Sequence, residues 1–313
     1  MCTAVNFFGE NHIFGRTFDY ERSFGQQVVS LPRHFFFGNF TSLYSIIGIA
    51  AMIDDMPLFF DGMNEEGLCG AALNFPFWSE YHKSLEEKIN LASYELIAYV
   101  LGTCKNLNEA RKKLEKVNIT SDSIREDLPP TPLHWIFADA GGALVVESIR
   151  EGVKIYENPH GVLANSPPFD YHLTRVSDFL PLHSGYPEKR LVGDSNAIYS
   201  RGMGALGLPG DFSSSSRFVR ALFLKKNVED CGECPSVTKF FHVMDAVSIP
   251  YGVVKTEDDM PVSTIYTCCM DTRSKKYYFT TYFSRRIRAI RHNPDDKGLR
   301  IYPMDSVEDI DFI

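Results

Sequence analysis

The sequence of 313 residues has no apolar run long enough to cross a bilayer. Its longest apolar stretches, residues 45–53 and 96–101, are far shorter than the roughly 20 residues that a membrane-spanning helix requires. The start of the chain also lacks the combination of a basic segment, an apolar stretch and a small-residue cleavage site that marks a secretory signal. We therefore expect no association with membranes and a location in the cytoplasm.

Cationic clusters are absent as well. The chain carries 32 lysine and arginine residues against 40 aspartate and glutamate residues, a formal net charge of -8, without a basic run. Nucleic-acid binding needs clustered cations, because these release counterions from the phosphates. The nine histidines show no HxxxH or similar ligand spacing. We expect no nucleic-acid partner, no metal and no cofactor.

Cysteine is sparse, with seven residues scattered through the chain. Small secreted domains instead concentrate cysteines in dense disulfide frameworks, so we expect reduced thiols here. Cys231 and Cys234 have CxxC spacing, but a zinc site would need a second such pair and a redox site would need a thioredoxin-like context. We assign no function to this pair.

Hairpin signals are what the chain does contain. Apolar and β-branched runs surround turn residues in segments 3–18, 133–149 and 264–283. Helical periodicity occurs in segments 85–101, 106–117, 216–226 and 236–247. Blocks of hairpins separated by helices predict an α+β fold with helices outside antiparallel sheets, and not a doubly wound parallel sheet. Because no repeat or long linker is present, we predict one domain over residues 1–313.

Cys2 is the most informative single position. Removal of Met1, which a small second residue favours, would leave a free α-amino group beside a thiol. An unperturbed α-amino group has a pKa of about 7.7 to 8.0 and an unperturbed thiol about 8.5, so both titrate near neutrality. The amine can then serve as the base for the thiol of the same residue. Taken alone, Cys2 equally fits an arbitrary small residue after the initiator.

Arg16 and Asp19 lie on the return strand of the first predicted hairpin. Pairing of that strand with the N-terminal strand can bring both side chains near Cys2. There Asp19 could bind the ammonium group and Arg16 could favour the thiolate. An arginine and an aspartate three residues apart also commonly form a surface ion pair of little energetic value, so the spacing alone leaves both interpretations open.

Longer motifs separate these interpretations. They are Met1-Cys2-Thr3, Phe14-Gly-Arg16-x-x-Asp19, Asp61-Gly-Met-Asn-Glu65, Leu73-Asn74-Phe-Pro76, Asn165-Ser-Pro-Pro-Phe-Asp170, and Leu208-Pro-Gly-Asp-Phe212 followed by Ser216-Arg217-Phe218. With these motifs in order over nearly the entire chain, the sequence resembles the choloylglycine hydrolases. This family of N-terminal nucleophile hydrolases contains conjugated bile acid hydrolases and penicillin V acylases. Ala164 departs from the pattern, because a threonine is common there.

The resemblance implies a four-layer αββα sandwich of two antiparallel sheets, commonly assembled as a homotetramer. The catalytic residues that it implies are Cys2, Arg16, Asp19, Asn74, Asn165 and Arg217. Cys2 would attack the amide carbonyl, Arg16 and Asp19 would tune this nucleophile, and Asn74 would supply the side chain of the oxyanion hole. Asn165 and Arg217 would complete the site.

Each of the later positions also has a plainer interpretation. Asn74, shortly before Pro76, and Asn165, before Pro167, both fit ordinary turns. Arg217 is predicted in the first turn of a helix, where the helix dipole disfavours a cation. Such a position suggests an external partner such as the active-site thiolate, although a surface arginine also fits.

The expected activity is hydrolysis of the amide between a steroid carboxyl group and glycine or taurine, through a thioester that an amino acid could also intercept. A penicillin V acylase and a non-catalytic relative that binds bile acids are the main alternatives. A papain-like cysteine protease, which would need one of the nine histidines as its base, is a minor one. Arg201, in the loop Ser200-Arg-Gly-Met-Gly204, is expected to contact the anionic end of the conjugate and to favour glycine. An exposed arginine without substrate contact is the other interpretation of this residue.

Overall fold

A computed structural model of the protein describes residues 1–8, 11–188, 198–229 and 236–311. In these ranges the strands are β1 (Cys2–Phe8), β2 (His12–Tyr20), β3 (Gln27–Leu31), β4 (Ile46–Ile53), β5 (Met56–Phe59), β6 (Asp61–Asn64), β7 (Cys69–Asn74), β8 (Ile89–Ala92), β9 (Val117–Thr120), β10 (Leu133–Asp139), β11 (Gly142–Ile149), β12 (Gly152–Glu157), β13 (Val162–Leu163), β14 (Val254–Lys255), β15 (Pro261–Asp271), β16 (Lys276–Thr281), β17 (Arg288–Arg291) and β18 (Arg300–Tyr302). The helices are α1 (Leu96–Thr103), α2 (Leu107–Leu114), α3 (Phe169–Arg175), α4 (Ser214–Asn227) and α5 (Ser236–Asp245).

Two antiparallel sheets dominate the described part of the chain. The smaller has the strand order β13-β1-β2-β15-β16-β17, with β14 paired to β15. The larger has the order β12-β11-β10-β7-β6-β4-β3-β18, with β5 paired to β4. Helices α4 and α5 pack on the smaller sheet, and α1 and α2 pack on the larger one. The predicted α+β class and the αββα layering are therefore confirmed.

The three predicted hairpins are present as β1–β2, β10–β11 and β15–β16. The helix predicted over 85–101 is wrong in its first half. Strand β8 occupies that half and pairs in parallel with β9, and a 3-10 turn over Ser93–Glu95 precedes the start of α1. Pairing with β9 outweighs the local helical periodicity there. None of the described helices is long and apolar enough to span a membrane.

Apolar burial holds the layers together in two clusters. One cluster joins the two sheets to α4 and α5, and includes the fully buried rings of Phe14, Phe218 and Phe240. The other fills the space between the larger sheet and α1 and α2. Burial of each such ring stabilises the fold by about 1.5 to 3 kcal/mol. The face of the smaller sheet that meets the larger sheet is thus fixed, and Cys2 lies on it.

Close strand spacing in the larger sheet depends on one glycine. A Cβ atom added to Gly48 of β4 would lie 2.0 Å from the carbonyl oxygen of Asp61 in β6. Any other residue at position 48 would push β6 away, because real Cβ contacts are never that short. Gly48 therefore helps to set the position of Asp61, which lies at the start of β6 behind the site described next.

Candidate active site

Cys2 begins β1, which pairs with β2 on one edge and with β13 on the other. This double pairing anchors the N-terminal strand and leaves little freedom at residue 2. Cys2 is only 2 % exposed, yet it lines a cavity of about 450 Å³ that is open to solvent on one side. The thiol is thus held rigidly at the wall of a cavity large enough for a small-molecule ligand.

Arg16 lies on the same face of the smaller sheet as Cys2. It stands opposite Ala4 in the β1–β2 register, and side chains two residues apart along a strand share a face. Its Nη2 donates a hydrogen bond to Cys2 Sγ, and its Nη1 donates to the carbonyl oxygen of Ala72 at 2.6 Å. Burial acts to lower the pKa of Arg16, but the attraction of Cys2 and other neighbouring groups raises it overall. A permanent cation therefore touches the sulfur.

Asp19 lies on the opposite face, because residues three apart on a strand point to opposite sides. Its Oδ1 accepts a hydrogen bond from Thr264 Oγ1 at 2.6 Å, and its Oδ2 accepts from Thr17 Oγ1 at 3.1 Å. Nη1 of Arg217 lies 4.0 Å from Oδ2. Burial raises the pKa of this carboxyl group, and Arg217 counteracts that effect. Arg16 thus faces the sulfur, and Asp19 faces the main chain around Cys2.

Arg217 differs from the expectation of a thiolate partner. It is fully buried in the first turn of α4, whose N-cap Ser213 accepts a hydrogen bond from the amide of Ser216. Nη1 of Arg217 donates to the carbonyl oxygen of Cys2 at 2.5 Å and to Thr3 Oγ1 at 2.6 Å. In this structure Arg16, not Arg217, is the cation on the sulfur.

Asn165 joins three parts of the site. Its Oδ1 accepts hydrogen bonds from the amide nitrogen of Cys2 and from Nη2 of Arg217, both at 2.7 Å. Its Nδ2 donates to the carbonyl oxygen of Asn74 at 2.7 Å. Nε2 of His172 lies 2.9 Å from the carbonyl oxygen of Asn165. Burial lowers the pKa of His172 to about 4, so the neutral ring donates this bond near neutral pH. Hydrogen bonds to its side chain and to its main-chain carbonyl therefore fix the position of Asn165.

Asn74 ends β7 and lines the same cavity as Cys2. Its Oδ1 is buried without a hydrogen-bond partner among the described residues. A buried amide that lacks an internal partner at one end is uncommon, because such a group usually finds one. The unpartnered atom is an oxygen, which can accept a hydrogen bond but cannot donate one.

The remainder of the cavity wall is mostly apolar. Phe18 stacks on Phe60, with ring centroids 5.0 Å apart, and meets Phe24 edge-on at 6.0 Å. All three rings line the cavity, together with a proline-rich segment over residues 128–133. In the part of the chain that the structure describes, no group of three or more His, Cys, Asp and Glu side chains could hold a metal ion. The site offers a thiol, two arginines, amides and an apolar enclosure.

Residues 2–305 match the family described as linear amide C–N hydrolases, choloylglycine hydrolase family. The chain belongs to this family. It is therefore an amide hydrolase by family, and the buried cysteine at its N-terminus fits the nucleophile of that class. The resemblance inferred from the sequence motifs is confirmed.

Individual choloylglycine hydrolase relatives support the same assignment. A bile salt hydrolase/transferase of Lactiplantibacillus plantarum is 41 % identical over 98 % of both chains. The solved structure of the mutant C2A conjugated bile acid hydrolase from Clostridium perfringens is 33 % identical, covers 100 % of both chains and has a TM-score of 0.93. A penicillin V acylase from Agrobacterium tumefaciens is 25 % identical, covers 93 % of this chain and 86 % of its own, and has a TM-score of 0.72.

The structure describes only one of two further sequence features. Arg201 is exposed and is not among the residues that line the cavity with Cys2. Cys231 and Cys234 fall outside the described residues.

The sequence motifs did not indicate several residues of the site. Phe18 and Phe24 line the cavity, and Thr264 binds Asp19 from a strand that is distant in sequence. A β-bulge in β15 between Thr264 and Tyr266 gives Thr264 this position. Alternation along β2 could have indicated that Phe18 shares a face with Arg16, whereas the bulge has no sequence signature of its own.

Proposed function

We propose that this chain is a bile salt hydrolase that cleaves the amide of glycine- or taurine-conjugated bile acids without a cofactor. The observation that carries the proposal is the thiol of Cys2, which touches Arg16 and opens into an aromatic-lined cavity of about 450 Å³. A rigid, largely apolar steroid suits such a cavity, because apolar enclosure provides affinity and a few polar groups fix orientation. The names of the relatives described above support this substrate class.

In the proposed mechanism, removal of Met1 converts the amide nitrogen of Cys2 into an amine. That nitrogen already lies 2.7 Å from Asn165 Oδ1, so one of its N–H bonds has an acceptor and its lone pair can take the thiol proton. Arg16 stabilises the resulting thiolate by direct contact with Sγ. Asp19, on the opposite face, provides a negative charge for the ammonium group that forms.

The thiolate then attacks the amide carbonyl carbon, and the carbonyl oxygen becomes an oxyanion. Asn74 is the proposed donor to this oxygen, because its side-chain amide lines the cavity. One pre-oriented donor of this kind contributes about 3 kcal/mol of transition-state stabilisation. Collapse of the intermediate returns the proton to the leaving amine and forms a thioester on Cys2. Water completes hydrolysis, and an amino acid that attacks the same thioester would give acyl transfer.

Penicillin V hydrolysis is the second candidate, because a solved penicillin V acylase shares the fold. The chemistry would be identical, so the shape of the pocket decides between the two substrates. The loop Ser200-Arg-Gly-Met-Gly204 that leads into Leu208-Pro-Gly resembles the bile-salt branch of the family. A non-catalytic relative is the third candidate, and retention of Cys2, Asn74 and Arg217 argues against it.

Parallel assays with glycocholate and penicillin V test the proposal. We expect kcat/KM for glycocholate to exceed that for penicillin V by about tenfold or more, since discrimination by an apolar pocket commonly reaches 10 to 200-fold. Cys2→Ala protein provides the background rate for both substrates. Comparable or faster turnover of penicillin V would reverse the assignment, and no turnover of either substrate would favour the non-catalytic relative.

Arg201→Ala tests the proposed preference for glycine conjugates. An arginine grips a planar carboxylate with two parallel hydrogen bonds and fits the tetrahedral sulfonate of taurine less well. We expect kcat/KM to fall more for glycocholate than for taurocholate, by roughly 1 to 3 kcal/mol.

The matched control for this prediction is Arg150→Ala, which removes an exposed arginine at the end of the β11–β12 connection. It should change neither rate. Equal losses on both conjugates in the Arg201 variant, or a wild-type protein that prefers taurocholate, would contradict the proposed contact. The homotetramer implied by the resemblance stays a prediction, as does the cytoplasmic location expected from the sequence.

A further inference from the structure

Asp61 is a buried carboxylate behind the site that the steps above do not use. It begins β6 and is completely buried. Its Oδ2 accepts a hydrogen bond from Tyr266 Oη at 2.6 Å, and its Oδ1 accepts one from Tyr277 Oη. Both tyrosines come from the smaller sheet, so this cluster bridges the two sheets, and the carbonyl oxygen of Phe60, the residue before Asp61, accepts a hydrogen bond from Arg16.

The hydrogen bonds from the two tyrosines fit an ionised Asp61, although burial raises the pKa of this carboxyl group overall. Burial and the neighbouring carboxylate raise the pKa of Tyr266 and of Tyr277 well above the usual value, so both hydroxyls keep their protons. Each hydroxyl donates to a different oxygen of Asp61, and a carboxylate with both oxygens accepting matches the ionised form. Burial raises the pKa of Asp61, while Arg16 and the two hydroxyl donors act in the opposite direction.

Arg16 lies between the sulfur of Cys2 and the start of β6, where Phe60 directly precedes Asp61. Its guanidinium donates to Cys2 Sγ and to the carbonyl oxygens of Phe60 and Ala72, at 3.2 and 2.6 Å respectively. Asp61 is the carboxylate among the groups that attract its charge. A fully buried cation needs an anion nearby. The thiolate exists only during part of the catalytic cycle, whereas Asp61 is always present.

We propose that Asp61 is a positioning residue that acts through Arg16: it is the permanent counter-charge of this arginine and limits how strongly the arginine stabilises the Cys2 thiolate. The three backbone carbonyls at Thr17, Phe60 and Ala72 fix the guanidinium in space. The attraction between Asp61 and Arg16 consequently reduces how strongly the arginine stabilises a thiolate at Cys2. A thiolate that is stabilised too strongly is a poorer nucleophile, because nucleophilicity falls with basicity.

Charged and titratable groups surround both Cys2 and Asp61. Those that face or act on Cys2 are Arg16 and Tyr20 from β2 and Arg217 from α4, and Arg22 and Asp127 line the same cavity. Those that face Asp61 are Arg16, Tyr266, Cys268 and Tyr277. Asp61 is the carboxylate of this set that acts on Arg16, since Asp19 lies on the opposite face.

The test is the pH dependence of Cys2 alkylation by iodoacetamide in wild-type and Asp61→Asn protein, both without Met1. Mass spectrometry of the N-terminal peptide isolates Cys2 from the other thiols. We expect the midpoint of the alkylation profile to fall by about one pH unit in the variant, since nearby charges shift such equilibria by 1 to 3 units. The plateau rate should also fall, because the thiolate is less basic.

Tyr277→Phe is the matched control, because it removes one hydrogen bond to Asp61 and keeps the carboxylate. Its midpoint should stay close to that of wild type even if its melting temperature drops. If Asp61→Asn cannot be recovered folded, Asp61→Ser takes its place, since a smaller neutral residue leaves room for water between the tyrosines. A midpoint that is unchanged or higher in a folded neutral variant would overturn the role of Asp61.

The role of Asp61 rests on the proposed role of Cys2, but the assay needs no bile salt. A normal wild-type alkylation profile without bile salt turnover would defeat the proposed substrate and leave the Asp61 comparison intact. Conversely, bile salt turnover with unchanged midpoints would defeat only the role of Asp61.

Discussion

Replacement of Cys2 by alanine is expected to abolish turnover of every amide substrate while the protein stays folded. The thiol is the proposed nucleophile, and loss of a covalent nucleophile costs roughly four orders of magnitude or more in kcat. The fold should persist, because β1 is held on both edges and Ala at position 2 removes one sulfur atom only. Hydrolysis assays together with thermal melting measure both outcomes.

Cys104→Ala is the matched control for this prediction. Cys104 is another fully buried thiol, at the C-terminal end of α1 and remote from the cavity that Cys2 lines. Its replacement removes the same atom and should leave kcat essentially unchanged. Activity near the wild-type level in Cys2→Ala would refute Cys2 as the nucleophile.

Retention of Met1 is expected to have the second large effect. With Met1 attached, the nitrogen of Cys2 is an amide that cannot accept the thiol proton, and loss of a positioned base costs about 10²- to 10⁴-fold in rate. The Met1 amine donates to the carbonyl oxygen of Asp19 in this structure. The extra residue thus places its own amine against β2, while the Cys2 nitrogen stays an amide that donates to Asn165 Oδ1.

This expectation is checked by measuring the intact mass and the activity of samples that differ in how much Met1 they retain. Protein made while methionine aminopeptidase is inhibited should carry Met1 and be nearly inactive, and later treatment with the aminopeptidase should restore activity in proportion to the mass loss. Inactivity that persists after complete removal would point to a different defect. Full activity with Met1 still attached would rule out the amine as the base.

The fold was largely predictable from the sequence, because hairpins carry local signals. Turn residues between alternating runs identified β1–β2, β10–β11 and β15–β16. Helical periodicity identified α2, whose N-cap Asn106 accepts a hydrogen bond through Oδ1 from the Glu109 amide at 3.0 Å. The error at β8 has a non-local cause. Its partner β9 lies beyond α1 and α2 in sequence, and no local periodicity records that pairing.

The site was predictable as a set of residues but not as a set of contacts. Motif resemblance named Arg16, Asp19 and Arg217, yet it could not tell which arginine would meet the sulfur. Strand alternation separates Arg16 from Asp19, while the reach of Arg217 to the Cys2 carbonyl depends on how α4 packs on β1. Asp61 appeared only as part of a motif, because its partners Tyr266 and Tyr277 come from the other sheet.

The pairing of β2 with both β1 and β15 determines when the site can form during synthesis. Asp19 receives a hydrogen bond from Thr264, and the carbonyl of Cys2 receives one from Arg217. The ribosome must therefore translate about four fifths of the message before the pocket around the nucleophile can close. Throughout that interval the sheet around the first two residues is unfinished. Under the proposed mechanism, Met1 can therefore be removed before the pocket around Cys2 closes.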